Sequence, residues 1–312
     1  AADVNNQARF FTRLIENLDG LVLKPDPTMI YWAEADNREG RASVHAAPLH
    51  VGTLVEKHLW QEKESVVMAS ATLTTGGSFG YVRGRLNAAE VQELVVGSPF
   101  DYASSTLLYL ATDIPEPQLR LEYQKGVERG LIDLCTATRG RALVLFTSYA
   151  QLRQTANAIR GPLAKAGIDL YDQTTGSSRS ALLDNFKSAD AGVLLGTKSF
   201  WEGVDIPGDA LSTLVIARLP FDVPDDPIVA ARSETFEKPF EQYSLPEAVL
   251  KFRQGFGRLI RTQTDRGVVA VFDRRILSKS YGKIFIDSLP ACTIKRAPLA
   301  QIGPEARAWL ER

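Results

Sequence analysis

The chain has 312 residues, 45% hydrophobic and 23% charged, which is enough length for two domains and a composition that excludes a disordered chain. No apolar run approaches the roughly 18 to 20 residues that cross a bilayer, and the amino terminus lacks the charged-then-apolar order of a secretory signal, so the sequence predicts a cytoplasmic protein with no membrane partner. A net charge of −1 predicts no general affinity for polyanions, although a local basic face remains compatible with it.

In chain order, Ala8, Phe11, Ile15 and Leu18 fall at three-and-four spacing and predict an amphipathic helix over 4–23, ended before Pro25 and Pro27 and needing a partner surface. Met29 to Glu34 and Arg41 to Ala46 flank the turn Asn37-Arg38-Glu39-Gly40 and predict a hairpin, with a short helix from Val51 to Trp60. The apolar run Ser65 to Ala69 reads as a buried strand, and Ser98-Pro99-Phe100 as a boundary. Beyond it come strand 142–146, helix 149–160, strand 168–171, helix 178–187, and strands 192–196 and 212–218. A loop rich in Pro and Asp follows, then helix 245–261 and strand 267–272. This alternation predicts an α/β fold with a parallel sheet covered by helices on both faces. Ligands of such sheets sit beyond the carboxyl ends of the strands, which directs attention to the loops after 146, 196 and 218. Cys135 and Cys292 are far apart and read as reduced thiols; they and His45, His50 and His58 match no metal-ligand spacing, so no metal is expected.

The segment Gln254-Gly255-Phe256-Gly257-Arg258-Leu259-Ile260-Arg261 lies in the expected helix 245–261, where Ser244 and Glu247 form a capping box and Pro246 occupies the first turn. Spacings of four and three put Gln254, Arg258 and Arg261 on one face, opposite an apolar stripe of Val249, Phe252, Phe256 and Leu259. Gly257 costs about 1 kcal/mol of helix propensity relative to Ala, which predicts a close approach by another backbone or a ligand. From spacing alone, a solvated basic face and a working one stand equal.

QxxGRxxR is similar to motif VI of superfamily 2 helicases, and GRLIR followed by Gln263-Thr264-Asp265-Arg266-Gly267 resembles the DinG/XPD branch, with the bacterial DinG type nearest. Ser70-Ala71-Thr72-Leu73 resembles motif III, Leu143 to Tyr149 (LVLFTSY) motif IV, and Gly196 to Gly208 (GTKSFWEGVDIPG) motif V. The triplet alone is uninformative, whereas the four segments in order are specific. The resemblance implies a RecA-like second motor lobe over 98–312. Before it would come the carboxy-terminal part of an incomplete first lobe over 28–97 and the return helix of an arch-like insertion over 1–27. It implies that Arg258 and Arg261 act as arginine fingers beside Gln254, with Glu202, Gly203, Asp205 and Gly257 at the nucleotide cleft. Thr147, Ser148, Thr197, Lys198 and Ser199 would face the backbone of single-stranded DNA, and Ser70, Ala71 and Thr72 would couple the lobes. Arg179 reads first as a surface Arg near a helix start and second as a DNA contact. Phe200 and Trp201 read first as core and second as a stacking platform for a base.

No GxxxxGK[ST] box occurs; GVLLGTKS is a near miss that the family match assigns to motif V, and no DEAH-like acidic box is present. The resemblance implies that the residues holding ATP phosphates and Mg²⁺, along with a four-cysteine iron–sulfur segment, lie upstream in a missing amino-terminal half, so this chain itself binds no cluster. Ala1 in place of an initiator Met agrees with a processed or excised fragment. The expected activity is that of an ATP-dependent 5′–3′ DNA helicase in the intact protein, with the chain inactive by itself. The rival is a nucleotide-independent nucleic-acid-binding or interaction module derived from a helicase lobe.

Overall fold

A computed structural model describes residues 2–36, 40–201, 206 and 210–312. The chain divides into two compact units. One comprises Ala1–Ser70, Phe79–Gln92 and Asp222–Ser244, and the other Ala71–Ser78, Glu93–Phe221 and Leu245–Arg312.

The smaller unit opens with helix α1 (Ala2–Leu18), followed by a π-helical turn over Asp19–Leu23. Its apolar residues Phe10, Phe11, Ile15 and Leu18 remain exposed among the described residues. Strands β1 (Met29–Asp36) and β2 (Arg41–Pro48) pair antiparallel from Met29↔Pro48 to Asp36↔Arg41, as the alternating hairpin pattern predicts; Asn37, Arg38 and Glu39 of the turn lie outside the described residues. Helix α2 (Gly52–Val55) continues into a second π-helical turn, Glu56–Trp60, and the Trp60 indole donates to the Leu86 carbonyl at the end of α3 (Gly80–Leu86) at 2.7 Å. The expected strand at Ser65–Ala69 is not formed. The segment is irregular, with Val67 89% exposed, because an apolar run becomes a buried strand only when neighbouring strands take its amide and carbonyl groups, and none pairs with it among the described residues.

The larger unit begins its regular structure with α4 (Tyr102–Ser105), capped by Asp101, then β3 (Thr106–Ala111), α5 (Arg120–Ala137), β4 (Ala142–Leu145), α6 (Tyr149–Lys165) and β5 (Asp169–Asp172). Helix α7 (Arg179–Ser188), β6 (Gly192–Gly196), α8 (Lys198–Trp201) and β7 (Thr213–Ile216) follow. Helix α9 (Pro227–Ser233) returns to the smaller unit, where the Arg232 guanidinium holds the Pro48 and Leu49 carbonyls at 3.1 and 3.2 Å. The larger unit then closes with α10 (Leu245–Phe256), β8 (Gly267–Val271), α11 (Arg275–Ser278), α12 (Gly282–Asp287), β9 (Thr293–Ala297) and α13 (Ile302–Leu310).

Its seven strands are all parallel, in the order β5-β6-β4-β7-β8-β3-β9. Alternate residues of each central strand feed two separate cores. Val144, Leu195, Val215 and Ala270 pack with α5, α6 and α13, while Leu143, Leu145, Leu194 and Ile216 pack with α7, α8 and α10. Burial on both faces explains the unbroken apolar runs of these strands, and it leaves the loops at their carboxyl ends as the working edge.

Candidate functional site

Strand β4 delivers Phe146, Thr147 and Ser148 to the carboxyl edge of the sheet. The Ser148 hydroxyl oxygen accepts from the Gln151 amide at 3.3 Å and so caps α6, while Tyr149 begins the helix with its ring half exposed. Next to it, β6 ends at Gly196, where a Cβ would stand 2.5 Å from Phe200; only glycine lets the chain fold over that ring into α8. Thr197 is half-buried and Lys198 and Ser199 are exposed. Phe200 and Trp201 are buried, and the Trp201 indole donates to the Phe146 carbonyl at 3.1 Å, so both rings are core and neither is a stacking platform. From the start of α7 the Arg179 guanidinium sits 5.7 Å from the centre of the Phe200 ring. The nearby acid, Asp172, is fully buried and spent on Arg160 and on the Thr174 amide at 2.8 Å, which keeps it off the outward face.

Helix α10 is shorter than its sequence pattern predicts. A π-helical turn, Phe240–Ser244, leads directly into α10, so Ser244 lies within helical backbone rather than ahead of it. At the other end the helix stops at Phe256: the Arg258 amide turns back to the Gly255 carbonyl at 3.0 Å, and the Asp265 carboxylate takes the Arg261 and Thr262 amides at 2.7 and 2.8 Å. Gln254, Arg258 and Arg261 therefore do not share one helical face; Gln254 is in the last turn and both arginines lie in the loop beyond it. A close approach is made at Gly255, whose absent Cβ would stand 3.0 Å from the Trp201 ring; among the described residues a Cβ on Gly257 would meet the carbonyls of its own preceding turn and no other backbone. The Arg258 guanidinium donates to the Trp201 carbonyl at 3.1 Å, which joins the loop after α10 to α8. Gln254 keeps its side-chain oxygen buried with no hydrogen-bond partner among the described residues.

Arg253 reaches another segment, donating to the Ala71 carbonyl and the Thr74 hydroxyl, each at 3.1 Å, and to the Thr74 carbonyl. Burial lowers the pKa of this guanidinium from its ordinary value. The Asp265 carboxyl is shifted the other way to what burial alone would do: desolvation raises its pKa, but hydrogen bonds from Thr262 and from the Arg261 and Thr262 amides, with the Arg261 charge, hold it below the usual carboxylate value.

Residues 131–292, more than half of the chain, match the family described as helicase C-terminal domain. The chain belongs to that family. It is 36% identical over 290 residues to the "3'-5' exonuclease DinG" of Bacillus subtilis, covering 89% of this chain and 31% of that protein. It is 38% identical over 275 residues to the "ATP-dependent helicase DinG" of Mycobacterium tuberculosis, covering 85% and 41%. A third relative, the "ATP-dependent DNA helicase YoaA" of Escherichia coli, is 35% identical over 272 residues, covering 85% and 41%. The chain thus spans 31–41% of the length of these curated relatives. A solved XPD helicase superposes with a TM-score of 0.58 at 18% identity, over 82% of this chain and 47% of that one, which supports the RecA-like fold of the sheet.

Within this helicase C-terminal domain, the structure gathers Thr147, Ser148, Thr197, Lys198, Ser199 and Arg179 at the carboxyl edge formed by β4, β5 and β6. It also brings Trp201, Gly255 and Arg258 together. Glu202, Gly203 and Asp205, expected at a nucleotide cleft, lie outside the described residues. Ser70 and Ala71 are exposed and Thr72 is half-buried. Gln173 and Arg253 escaped the sequence reading. Gln173 directly follows β5, so the rule that ligands sit beyond carboxyl strand ends pointed to it as much as to the loops after 146 and 196. Arg253 carried no signal apart from standing next to Gln254.

Proposed function

We propose that the chain is the carboxy-terminal portion of an ATP-dependent DNA helicase that moves 5′ to 3′ on single-stranded DNA. Residues 98–312 form its second motor lobe, 28–97 the end of its first lobe, and 1–27 a helix returning from an arch-like insertion. The observation that carries the reading is the row of hydroxyls and cations on adjacent strand ends, where the Asp172 carboxylate is buried and paired with Arg160. Such an edge suits a phosphate backbone, whose contacts carry no sequence information. Thr147, Ser148, Thr197, Lys198, Ser199 and Arg179 then line the DNA track. Arg258 and Arg261 neutralise charge developing on the γ-phosphate, with Gln254, Gly257, Glu202, Gly203 and Asp205 at the same cleft. Ser70, Ala71 and Thr72 couple the lobes, and the bonds of Arg253 to Ala71 and Thr74 give that coupling a physical link to the helix leading to Arg258.

ATP and Mg²⁺ belong to the intact protein, and the remaining part supplies the phosphate-binding Lys, the acidic residues and any iron–sulfur cluster. ATP supplies the energy of lobe closure; the residues of this chain bind DNA and meet the γ-phosphate. The test compares the 312-residue chain with the intact protein for ATP hydrolysis with single-stranded DNA. Turnover is expected in the intact protein alone. DNA-stimulated turnover by the chain that disappears in Lys198→Ala would overturn this reading of GVLLGTKS.

A further inference from the structure

Three loops leave the sheet side by side after β4, β5 and β6, and one residue, Gln173, ties them together through its side chain and its backbone carbonyl. The Gln173 side-chain oxygen accepts from the Thr197 amide at 2.7 Å and from the Thr197 hydroxyl at 2.8 Å. Its amide nitrogen donates to the Ser199 hydroxyl oxygen at 3.0 Å, and its backbone carbonyl accepts from the Tyr149 hydroxyl at 3.2 Å. The polarity of this network follows from one group: a backbone N–H can only donate, so Gln173 must face Thr197 with its oxygen and Ser199 with its nitrogen. Ser199 is then an acceptor toward Gln173, and its own hydrogen meets no acceptor among the described residues, which leaves it for one outside. Thr197, by contrast, spends both its donors inward. Lys198, exposed between them, is held by two flanking residues that answer to the same amide.

We propose that Gln173 is a positioning residue of the DNA track, consuming the donors of Thr197 as an anchor so that the Ser199 hydroxyl and the Lys198 ammonium are presented to a phosphate. The inference rests on the reading of this edge as a DNA track and divides its residues into an anchor, Thr197, and two presenting groups, Ser199 and Lys198. A clamp of this kind lowers the cost of ordering the loop when a phosphate arrives, without itself adding an ionic contact.

The test is single-strand affinity of the intact protein for a labelled deoxythymidine oligonucleotide, measured by anisotropy across a range of salt. Gln173→Ala is expected to weaken binding about five- to tenfold, the value of one or two well-formed hydrogen bonds, with an unchanged salt slope. Lys198→Gln should instead flatten the slope by about 0.7, the share of one phosphate contact on a single strand. Ser199→Ala should weaken binding in the unmodified protein and add little on top of Gln173→Ala, because Ser199 is no longer aimed. Gln173→Glu, which can still accept from Thr197 but turns the Ser199 hydrogen inward, should bind at least as weakly as Gln173→Ala while melting at the temperature of the unmodified protein. Equal costs of Ser199→Ala in both backgrounds, or normal affinity in Gln173→Ala, would overturn the clamp. An unmodified protein without salt-sensitive single-strand binding would refute the DNA track itself, and the clamp with it.

Discussion

Arg261→Lys in the intact protein separates a transition-state role from a structural one. The Arg261 amide is held by the Asp265 carboxylate at 2.7 Å, and Asp265 also takes the Thr262 amide at 2.8 Å and the Thr262 hydroxyl at 2.7 Å. These bonds are made by the Arg261 backbone and by Thr262, so they persist in the variant, and Lys keeps the positive charge that Asp265 feels. The local fold is therefore expected to survive, with a stability change within about 0.5 kcal/mol, or about 1 to 2 °C in melting temperature. What Lys loses is the planar fork that grips two phosphate oxygens at once. An arginine finger in phosphoryl transfer contributes about 10³- to 10⁵-fold, or about 4 to 7 kcal/mol of barrier, several times any ground-state effect expected here. The assay is DNA-stimulated ATP hydrolysis at saturating DNA, with Arg153→Lys, on the exposed side of α6, as the control on the same lobe. Hydrolysis by Arg261→Lys at the control rate would refute the finger assignment and return this loop to ordinary surface.

Asp273 is fully buried after β8, accepting from the Leu219 amide at 2.9 Å and the Arg275 Nε at 2.9 Å; Asp273→Asn strands the Arg275 charge and should cost roughly 3 to 5 kcal/mol in urea unfolding. A loss below about 1 kcal/mol would show the pair to be solvated. Gly255→Ala pushes a Cβ against the Trp201 ring and Leu145 and should lower stability by about 1 to 3 kcal/mol, whereas Gly257→Ala meets nothing closer than 3.4 Å and should melt normally while slowing ATP hydrolysis in the intact protein. The Asp265 carboxyl titrates below its usual value in the fold, so the stability it gives is complete above the ordinary carboxylate pKa and is lost as pH falls through the lowered one. In acid titrations followed by circular dichroism, Asp265→Asn should remove that part of the acid sensitivity, and an unchanged profile would count against a stabilising role for the Asp265 bonds to Arg261 and Thr262.

Strands β4, β6, β7 and β8 were legible because burial on both faces forces apolar runs with no competing pattern, and the predicted ends of β4 and β7 overshoot by one or two residues where Phe146 and Ala217 leave the ladder while staying buried; β3, as deeply buried between β8 and β9, was overlooked. Strand β9 was not legible: as an edge strand its Thr293, Ile294 and Arg296 are exposed, and a strand with one wet side and one neighbour carries little apolar signal. Helix α5 was overlooked although Tyr123, Val127, Leu131 and Leu134 repeat at helical spacing and are buried; nothing physical hid it. The overrun of α10 has a cause in packing. Leu259 continues the apolar stripe of the helix, yet its side chain sits over Gly267 at the start of β8, where a Cβ would stand 2.6 Å from it, and that contact is made from a loop. The motif was readable, but the arrangement of Gln254, Arg258 and Arg261 was not, because the helical periodicity that suggested a common face ends before two of the three.

The arrangement that replaces the common helical face centres on Trp201. Its indole nitrogen is bonded to the carbonyl of Phe146, just before Thr147; its ring rests on Gly255, one residue after Gln254; and its own carbonyl receives Arg258. Interiors are close-packed, so a ring of this size cannot shift against Gly255 without moving either the β4 loop or the turn that carries Arg258. A flat helical face would have let the two arginines move as a rigid rod, independent of the loops after β4 and β6. A loop pinned through a buried tryptophan ties the position of Arg258 to that of the loop after β4. Coupling between the proposed DNA track and the proposed nucleotide cleft requires an element that both sites can bias, and the contacts of Trp201 supply a contiguous candidate made of one buried tryptophan, the loop after β4 and the turn after α10.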